Sequence, residues 1–421
     1  MRRWKRYPAY RDSGVEWLGE VPEGWEVKRL KFLAPFAYGD ALAAGARTDG
    51  AVPVFGSNGQ VGTHDAANTR GETVIVGRKG SFGSVKYSLH SAFVIDTAFY
   101  VDSRGTQAHP RWLYYALQTL GLDEESRDAA VPGLSREIAH NKWCCLPPEE
   151  EQRAIAAFLD RETGQIDALI AKKERLSALL EERRTARIAD ILCSGLDPTV
   201  IRKSSGFDEI GPVPAHWPVA PLARFWTVRD CKHVTPPYLA DGIPLVSTTE
   251  VKAGRLQLGT CYRFISSEWY ATMTEGGRRP RRGDIVYSRN ASLGAAAYVD
   301  TDDSFAMGQD VVLITSRRPD QQYLAYVLNS SIGVSQVERM QMGSTFTRIN
   351  VDDIRRIVVP CPPPDEQAAI ACKVDAIDAA FRTLAGSQRA TLALLREQRQ
   401  ALITAAVTGR IDVRGEVPEV A

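Results

Sequence analysis

Two copies of one helix-start motif constrain this chain more than any other feature. The segment LPPEEEQRAIAAF (146–158) returns as PCPPPDEQAAI (360–370), about half a chain later. In each copy a proline pair forms an extended lead-in, and the acidic residues that follow suit a helix N-terminus. A repeat of this kind predicts that the protein is internally duplicated.

Each copy of the motif opens a long predicted helix. Apolar residues recur after it at steps of three, four or seven, which is the spacing of a heptad seam. The glycines Gly195 and Gly409 stand where a C-terminal cap is expected, so the two helices have nearly equal lengths. A single helix of this size cannot hide its apolar seam. We therefore expect the two helices to pair and to cover each other's seams.

A second repeat precedes each helix, because GEVPEGWEVKRL (19–30) aligns with GPVPAHWPVAPL (211–222). The chain then runs in the order globular domain, helix, globular domain, helix. The first helix leads to the second domain and the second helix leads back, which predicts antiparallel helices and a pseudo-two-fold axis between the domains. The predicted bounds are 1–146 and 198–360 for the domains, 147–197 and 361–412 for the helices, and 413–421 for a C-terminal tail.

A third repeat lies inside the domains, where short β-like runs are punctuated by Gly, Asn and Asp. GETVIVGRKGSFGSV (71–85) aligns with GDIVYSRNASLGAA (283–296) after a one-residue gap, and both contain R-x-x-S-x-G. A hydroxyl–arginine pair also precedes each long helix, as Ser135-Arg136 and Thr347-Arg348. The predicted class is α+β, with two mixed α/β domains and two long antiparallel coiled-coil helices.

Composition limits the function. The net charge of +1 lacks the strong positive balance of many nucleic-acid-binding domains, so if DNA is bound, either basic residues are gathered locally or a partner supplies much of the phosphate contact. Seven cysteines without a C-x-x-C pair and six scattered histidines predict free thiols and no metal site. The sequence has neither a membrane-length apolar run nor the apolar stretch of a signal peptide, which predicts a cytoplasmic protein without membrane contact.

The combination of these segments resembles the specificity subunit of type I restriction–modification systems. The resemblance covers nearly the whole chain, with two departures: Gly164 stands where relatives tend to carry a helix former, and ITAAVTGRID (403–412) keeps the pattern loosely. The resemblance rests on the following segments: YPAYRDSGVEWLGEVPEGWEVKRLK (7–31), VFGSNGQVG (54–62), VGRKGS (76–81), DTAFYV (96–101), LPPEEEQRAIAAFLDRETGQIDALIAKKERL (146–176) and GDIVYSR (283–289).

The resemblance implies a non-catalytic DNA reader for phage defence and DNA methylation. Its two target recognition domains would read a bipartite, asymmetric sequence in double-stranded DNA, one half-site each. The family recruits two modification subunits, which methylate adenine, and two ATP-driven restriction subunits. No cofactor is then expected in this chain, and S-adenosylmethionine, ATP and Mg belong to the partner subunits.

Enzymatic motifs are weak. TPPY (235–238) is similar to a base-gripping methyltransferase motif, but Thr235 replaces its Asp or Asn, and a proline turn is the better interpretation. Asp241 with Glu250 only loosely matches a nuclease, and VGRKGS does not meet the phosphate-loop pattern. We predict no catalytic residue. The alternative function is a two-headed coiled-coil adaptor for proteins, without sequence-specific DNA binding.

Candidate DNA-binding residues follow from side-chain chemistry. Arginine pairs with guanine and asparagine with adenine, whereas hydroxyls and lysine more often hold phosphate. The residues predicted nearest the bases are Arg78, Arg136, Arg289, Asn290 and Arg348. Those predicted to support them or touch the backbone are Ser57, Asn58, Lys79, Ser81, Ser292 and Thr347. The run RRPRR predicts a phosphate clamp at Arg278, Arg279, Arg281 and Arg282.

Overall fold

The computed structural model describes residues 4–124, 133–290, 294–316, 321–341 and 348–416. The chain divides into two compact units. The first unit comprises Met1–Glu174 with Gln388–Ala421, and the second comprises Arg175–Ser387. Each unit therefore holds one globular domain together with a section of each long helix.

The first globular domain is built mainly from short strands. Its strands are β1 (Tyr10–Asp12), β2 (Glu20–Pro22), β3 (Glu26–Arg29), β4 (Ala37–Tyr38), β5 (Val52–Gly56), β6 (Gly59–His64), β7 (Thr73–Gly77), β8 (Val85–Ser88), β9 (Phe93–Val94), β10 (Ala98–Val101) and β11 (Trp143–Leu146). Its helices are α1 (Leu30–Leu33), α2 (Pro110–Leu117) and α3 (Arg136–His140). The long helix α4 (Glu149–Ser194) follows β11 directly.

Two sheets organise this first domain. An antiparallel sheet has the strand order β4-β10-β7-β8, and its β-branched strand β7 is buried along its whole length. A three-stranded sheet has the order β6-β5-β9, in which β5 runs antiparallel to β6 and parallel to β9. The pair β3–β11 joins the start of the domain to its end.

The second globular domain begins after α4. Its strands are β12 (Arg202–Ser204), β13 (Pro212–Pro214), β14 (Val219–Pro221), β15 (Thr227–Asp230), β16 (Ile243–Val246), β17 (Val251–Lys252), β18 (Arg255–Leu256), β19 (Phe264–Ile265), β20 (Ile285–Ser288), β21 (Ala296–Tyr298), β22 (Ala306–Met307), β23 (Val311–Thr315) and β24 (Val358–Pro360). Its helices are α5 (Ser267–Thr274), α6 (Gln322–Asn329), α7 (Ser331–Gln341) and α8 (Val351–Arg356), and the long helix α9 (Pro364–Val407) follows.

The second domain repeats the sheets of the first. The order β15-β23-β20-β21 corresponds to β4-β10-β7-β8, and β19-β16-β22 corresponds to β6-β5-β9 with its one parallel pair. The pair β14–β24 again joins the start of the domain to its end. The hairpin β17–β18 belongs to the second domain alone among the described residues, and it lies in the longer connection between β16 and β19.

The two repeated sequence motifs meet in each unit. Trp25 is 2% exposed and its indole N–H donates to Glu151 at 3.0 Å. In the second unit Trp217 is fully buried and donates to Glu366 at 2.9 Å. A buried indole needs such an acceptor, and the glutamate at the helix start supplies it. The V-P-x-x-W and P-P-x-x-E-Q motifs therefore recur together because each pair locks one domain onto its long helix.

The glutamine of the helix-start motif has a separate task. The Gln152 side-chain amide donates to the carbonyl of Pro147 at 2.8 Å, and its Oε1 accepts from the backbone N–H of His109 at 2.8 Å. Gln367 donates in the same way to the carbonyl of Pro362 at 2.7 Å. Because both glutamines are buried, these bonds fix how the chain enters each long helix.

The long helices run antiparallel. In the first unit Arg399 pairs with Asp167 at 2.8 Å and Arg396 pairs with Glu174 at 2.7 Å, so the sequence numbers rise on α4 as they fall on α9. In the second unit Arg184 pairs with Asp378 at 2.7 Å. With 46 residues in α4 and 44 in α9, each helix is about 65–70 Å long.

The apolar seam is only partly covered. Ile155 and Ile370 are buried because they lie at the helix starts, within the core of their own unit. Farther along, Leu169 is 42% exposed, and Leu176 and Leu384 are each 41% exposed. The seam is therefore covered at the helix ends, where the domain cores pack against it, and the expectation that the helices cover each other's seams does not hold in their middle. In the described residues, no helix is long and apolar enough to cross a membrane.

Candidate nucleic-acid interface

The parallel strand pair of the first domain ends at a surface corner. Strand β5 leads into Ser57 and Asn58, and β9 leads towards Thr97. The carbonyl of Thr97 accepts from the backbone N–H of Arg78 at 2.9 Å and of Lys79 at 3.1 Å. We call residues 57–58, 78–81 and 96–97 the first corner. Polar side chains at the carboxyl ends of neighbouring parallel strands are placed to meet a ligand.

An aromatic ring organises the arginines beside the first corner. The Arg78 guanidinium lies 4.9 Å from the centroid of the Tyr38 ring, and the Arg136 guanidinium lies 4.7 Å from it. Tyr38 is 45% exposed, so two cations and one aromatic face share the surface. Arg78 also donates to the carbonyl of Asp96 at 3.2 Å. Two predicted base-reading residues are thus brought together.

The hydroxyl and amide candidates of the first domain also converge. Ser81 and Asn58 lie 3.5 Å apart through their side-chain oxygens. Ser57 is half-buried, whereas Asn58, Lys79 and Ser81 are exposed. All the first-domain candidates outside Arg136 therefore lie on two adjoining loops. Whether each touches a base or a phosphate stays a prediction.

The second domain has an equivalent corner. The backbone N–H of Gly308 donates to the carbonyl of Val246 at 2.7 Å, as Ile95 donates to Phe55 at 2.9 Å in the first domain. The backbone N–H of Arg289 donates to the carbonyl of Asp310 at 2.8 Å, which reproduces the bond from Arg78 to Thr97. We call residues 247–249, 289 and 308–310 the second corner.

Arg289 differs sharply from Arg78 in its surroundings. Tyr38 lies opposite Phe99 in the first sheet, and Asp230 lies opposite Val312 at the equivalent position of the second sheet. Asp230 therefore takes the place of Tyr38. Arg289 donates to Asp230 at 2.8 Å and to the carbonyl of Ile349 at 3.0 Å, and it is 6% exposed. The guanidinium predicted to lie nearest the bases is therefore held inside the domain by an acidic partner in place of an exposed ring.

The hydroxyl–arginine pairs before the long helices are not equivalent. The backbone N–H of Leu134 donates to the carbonyl of Arg78, and that of Ile349 donates to the carbonyl of Arg289. These bonds match Leu134 with Ile349, so Arg136 is the first residue of α3 whereas Arg348 precedes α8 by three residues. Arg348 is exposed and pairs with Asp310 at 2.7 Å. The two pairs precede the long helices as predicted from the sequence, but their structural positions differ by three residues.

The remaining candidates of the second domain are dispersed. In the RRPRR run, Arg278 donates to the carbonyl of Asp230 at 2.8 Å, and Arg282 pairs with Asp302 at 2.9 Å. Arg279 and Arg281 are exposed, which leaves the phosphate clamp a prediction. Asn290 is half-buried beside Arg289. The last two candidates, Ser292 and Thr347, lie outside the described residues.

One group of possible metal ligands lies next to Arg289. One ligand atom each from Asp230, Cys231 and His233 falls within 4.8 Å of the others. Both carboxylate oxygens of Asp230 already have partners, one in Arg289 and the other in His233 at 3.1 Å. Burial raises the pKa of the Cys231 thiol, and the nearby Asp230 carboxylate adds to this, so the thiolate is disfavoured. This group therefore supports Arg289 more readily than it holds a cation.

Several polar residues at the second corner were missed from the sequence. They are Thr235, Thr248, Thr249, Arg263 and Gln309, which line one cleft. The R-x-x-S-x-G repeat located the corner, but the repeat does not extend to the strands that complete it. The short β-like run before each loop was the sequence feature that could have located these residues.

Comparison with known proteins identifies the class to which these features belong. The family model described as "Type I restriction modification DNA specificity domain" matches residues 22–178 and 243–392. The chain is 23% identical to the type I restriction enzyme EcoBI specificity subunit of Escherichia coli, over 83% of this chain and 76% of that one. It is 22% identical to the MjaVIII specificity subunit of Methanocaldococcus jannaschii, over 81% and 76%.

A solved structure from work on complex assembly and conformational transition of the type I R-M system has the same fold. It covers 92% of this chain and 98% of its own length, with a TM-score of 0.66 and 16% identity. The expected α+β fold, with two mixed domains and two long helices, is confirmed. The chain belongs to the type I restriction–modification DNA specificity family, and it is a DNA target-recognition subunit.

Proposed function

We propose that each globular domain reads one half of a bipartite, asymmetric target in double-stranded DNA. Sequence recognition requires side chains that reach base edges from a surface whose register on the duplex is fixed by other contacts. Both corners offer arginine, amide and hydroxyl groups on loops that follow paired strands. A duplicated chain with two such corners suits a target that has two separate specific parts.

The single observation that carries the proposal is the unequal chemistry of two equivalent corners. The backbone bond from Arg78 to Thr97 and that from Arg289 to Asp310 define one shared scaffold. On this scaffold Arg78 stacks on exposed Tyr38, whereas Arg289 is bound to Asp230. Different side chains on the same scaffold would select different bases, so the two half-sites should differ in sequence.

The long helices supply the surface for partner subunits in this proposal. In the first unit a cleft of ≈ 810 Å³ lies between α4 and α9, lined largely by apolar side chains that include Ile166, Leu169, Leu395 and Leu402. In the second unit Leu176, Leu179 and Leu384 are exposed on the same two helices. One such surface per unit fits two modification subunits, and restriction subunits would join the assembly through them or beside them.

This chain would contribute recognition without catalysis. The relatives named above are specificity subunits, which supports a division of labour among chains. S-adenosylmethionine, ATP and Mg would accordingly be bound by the modification and restriction subunits. Glu250, a residue of the weak nuclease-like pattern, is 1% exposed and accepts from the backbone N–H and the hydroxyl of Ser247 at 2.8 Å each. Its contacts therefore support a structural role.

A binding selection tests the proposal against the adaptor alternative. The full chain, co-purified with its modification subunits, is mixed with a pool of random duplexes at near-physiological salt, and the bound fraction is sequenced. The proposal predicts enrichment of two short specific blocks, with an affinity that falls as salt rises. Retention of the pool without any enriched sequence, or no retention at low salt, would support the adaptor instead.

A further inference from the structure

The second corner contains a polar cleft beside a connection that is longer than its counterpart in the first domain. In the first domain a tight turn at Ser57-Asn58 links β5 to β6. In the second domain the equivalent strands β16 and β19 are linked by residues 247–263, and the added length opens a cleft of ≈ 350 Å³. The cleft is bordered by residues 234–238, 247–249, 308–310 and Arg263. Strands β16 and β22 are parallel, and both point their carboxyl ends at it.

The cleft wall holds an oriented amide. Gln309 is exposed at the end of the β22 segment, and its side-chain amide donates to the hydroxyl of Thr235 at 3.1 Å. Within the described residues, the Oε1 atom and the second N–H of that amide have no other hydrogen bond, and Gln309 lines the cleft. The bond to Thr235 of the T-P-P-Y segment therefore restrains the amide and leaves an acceptor and a donor for a ligand. A glutamine held in this way presents the donor and acceptor pair that adenine accepts in the major groove.

A guanidinium flanked by aromatic rings also lines the cleft. The Arg263 guanidinium lies 4.8 Å from the Tyr262 ring centroid and 5.6 Å from that of Tyr238. Tyr262 is 62% exposed and Tyr238 is 50% exposed. Within the described residues, Arg263 pairs with no carboxylate, in contrast to Arg289 and its partner Asp230. Its charge is therefore available to a ligand that offers acceptor atoms.

The backbone beneath the cleft is held in an unusual conformation. Among the described non-glycine residues, Asp310 alone has a positive φ, at 65°. Such strain persists where surrounding contacts over-determine the backbone, and it concentrates at binding sites. Here the carbonyl of Asp310 accepts from the backbone N–H of Arg289, and its carboxylate pairs with Arg348. These two contacts hold the loop that carries Gln309.

We propose that Gln309 and Arg263 are the base-reading residues of the second domain, with Thr235 as a positioning residue. The inference rests on the proposed function and deepens it. The ligand is the edge of a duplex groove: Gln309 addresses an adenine and Arg263 a guanine within the same half-site. The lining is hydroxyl, amide and guanidinium, with tyrosine faces, which suits base and phosphate contact.

The test is the sequence preference of the complete complex. The full chain and its modification subunits are expressed together, and the methylated sites are mapped for the parent and for Gln309→Ala, Gln309→Glu and Arg263→Lys. Gln309→Ala should reduce the preference for adenine at one position by about tenfold or more. Gln309→Glu should move that position towards cytosine, because a carboxylate accepts from the cytosine amino group. Arg263→Lys should relax a guanine in the same half.

Two controls distinguish a failure of this inference from a failure of the proposed function. Arg356→Lys changes an exposed arginine that pairs with Asp353 and does not line the cleft, so its target should equal the parent's. The half-site read by the first domain should be unchanged in every variant. Unchanged preference in both Gln309 variants would overturn the inference, as would a general loss of methylation without altered preference. A parent complex without any specific target would instead overturn the proposed function.

Discussion

Arg78 and Arg289 hold the same register position in related sheets but meet different partners. Arg78 stacks on an exposed ring, and Arg289 is bound to a carboxylate. The aligned R-x-x-S-x-G motifs located both arginines correctly. The sequence did not indicate their partners, because Tyr38 and Asp230 lie on strands far from the motif. A residue's function here depends on which side chain the sheet register places opposite to it.

This contrast predicts different effects for two alanine variants. Arg78→Ala should lower the free energy of unfolding by less than about 1 kcal/mol, the range of an exposed cation–π contact, while it relaxes one half-site. Arg289→Ala should cost about 2–3 kcal/mol, because it leaves the partly buried Asp230 without its partner. Chemical denaturation and methylation mapping measure the two effects. Altered preference in Arg289→Ala with unchanged stability would show that Arg289 itself reads bases.

The positions of the long helices could be predicted from local sequence features. The proline pair, the acidic first turn and the glycine after each helix predicted α4 and α9 closely, and Gly195 and Gly409 have φ values of +73° and +72°. Heptad spacing alone did not predict which leucines are exposed. Coverage of a seam depends on what packs against each turn, and the domains cover only the ends.

Two glycines in or next to α4 should respond in opposite ways to alanine. Gly164 lies inside the helix, and an added Cβ would meet no atom within 4 Å, so Gly164→Ala should stabilise the protein by about 0.5–1 kcal/mol. Gly195 has a left-handed conformation, and its Cβ would lie 3.2 Å from Trp217. Gly195→Ala should therefore destabilise by about 1–2 kcal/mol. Thermal melting of the two variants should show a higher melting temperature for Gly164→Ala and a lower one for Gly195→Ala. Equal shifts in melting temperature would contradict this account of the helix.

The duplication of the whole chain could be predicted from the sequence because the repeated motifs make the same structural contacts in both halves. The tryptophan–glutamate bond and the glutamine bond at each helix start require both partners, so both motifs were kept in both copies. The reading loops carry no such mutual constraint. Their lengths differ, as 247–263 shows beside Ser57-Asn58, and alignment by motif missed Gln309 and Arg263. Recognition residues are therefore the part of the molecule that the repeats reveal least.

We predict that the length of α4 and α9 sets the number of unread base pairs between the two half-sites, because α4 connects the two domains in the chain. Four residues inserted after Glu174 in α4 and four after Ser387 in α9 add about 6 Å to each helix. At about 3.4 Å per base pair, the gap should lengthen by one or two base pairs while both half-sites stay the same. The same insertion in the exposed loop after Pro198 lengthens neither helix and should leave the gap unchanged. Methylation mapping distinguishes these outcomes, and an unaltered gap in the helix variant would refute the role of the helices.

The most direct measurement is the methylome of cells that carry this chain with its modification subunits, compared with cells that lack it. Two equivalent corners with different side chains predict methylated adenines within a target of two short, unlike halves at a fixed separation. Loss of this chain should abolish methylation at all of these sites. A continuous target, or two identical halves in a palindrome, would contradict the claim that each domain reads its own sequence.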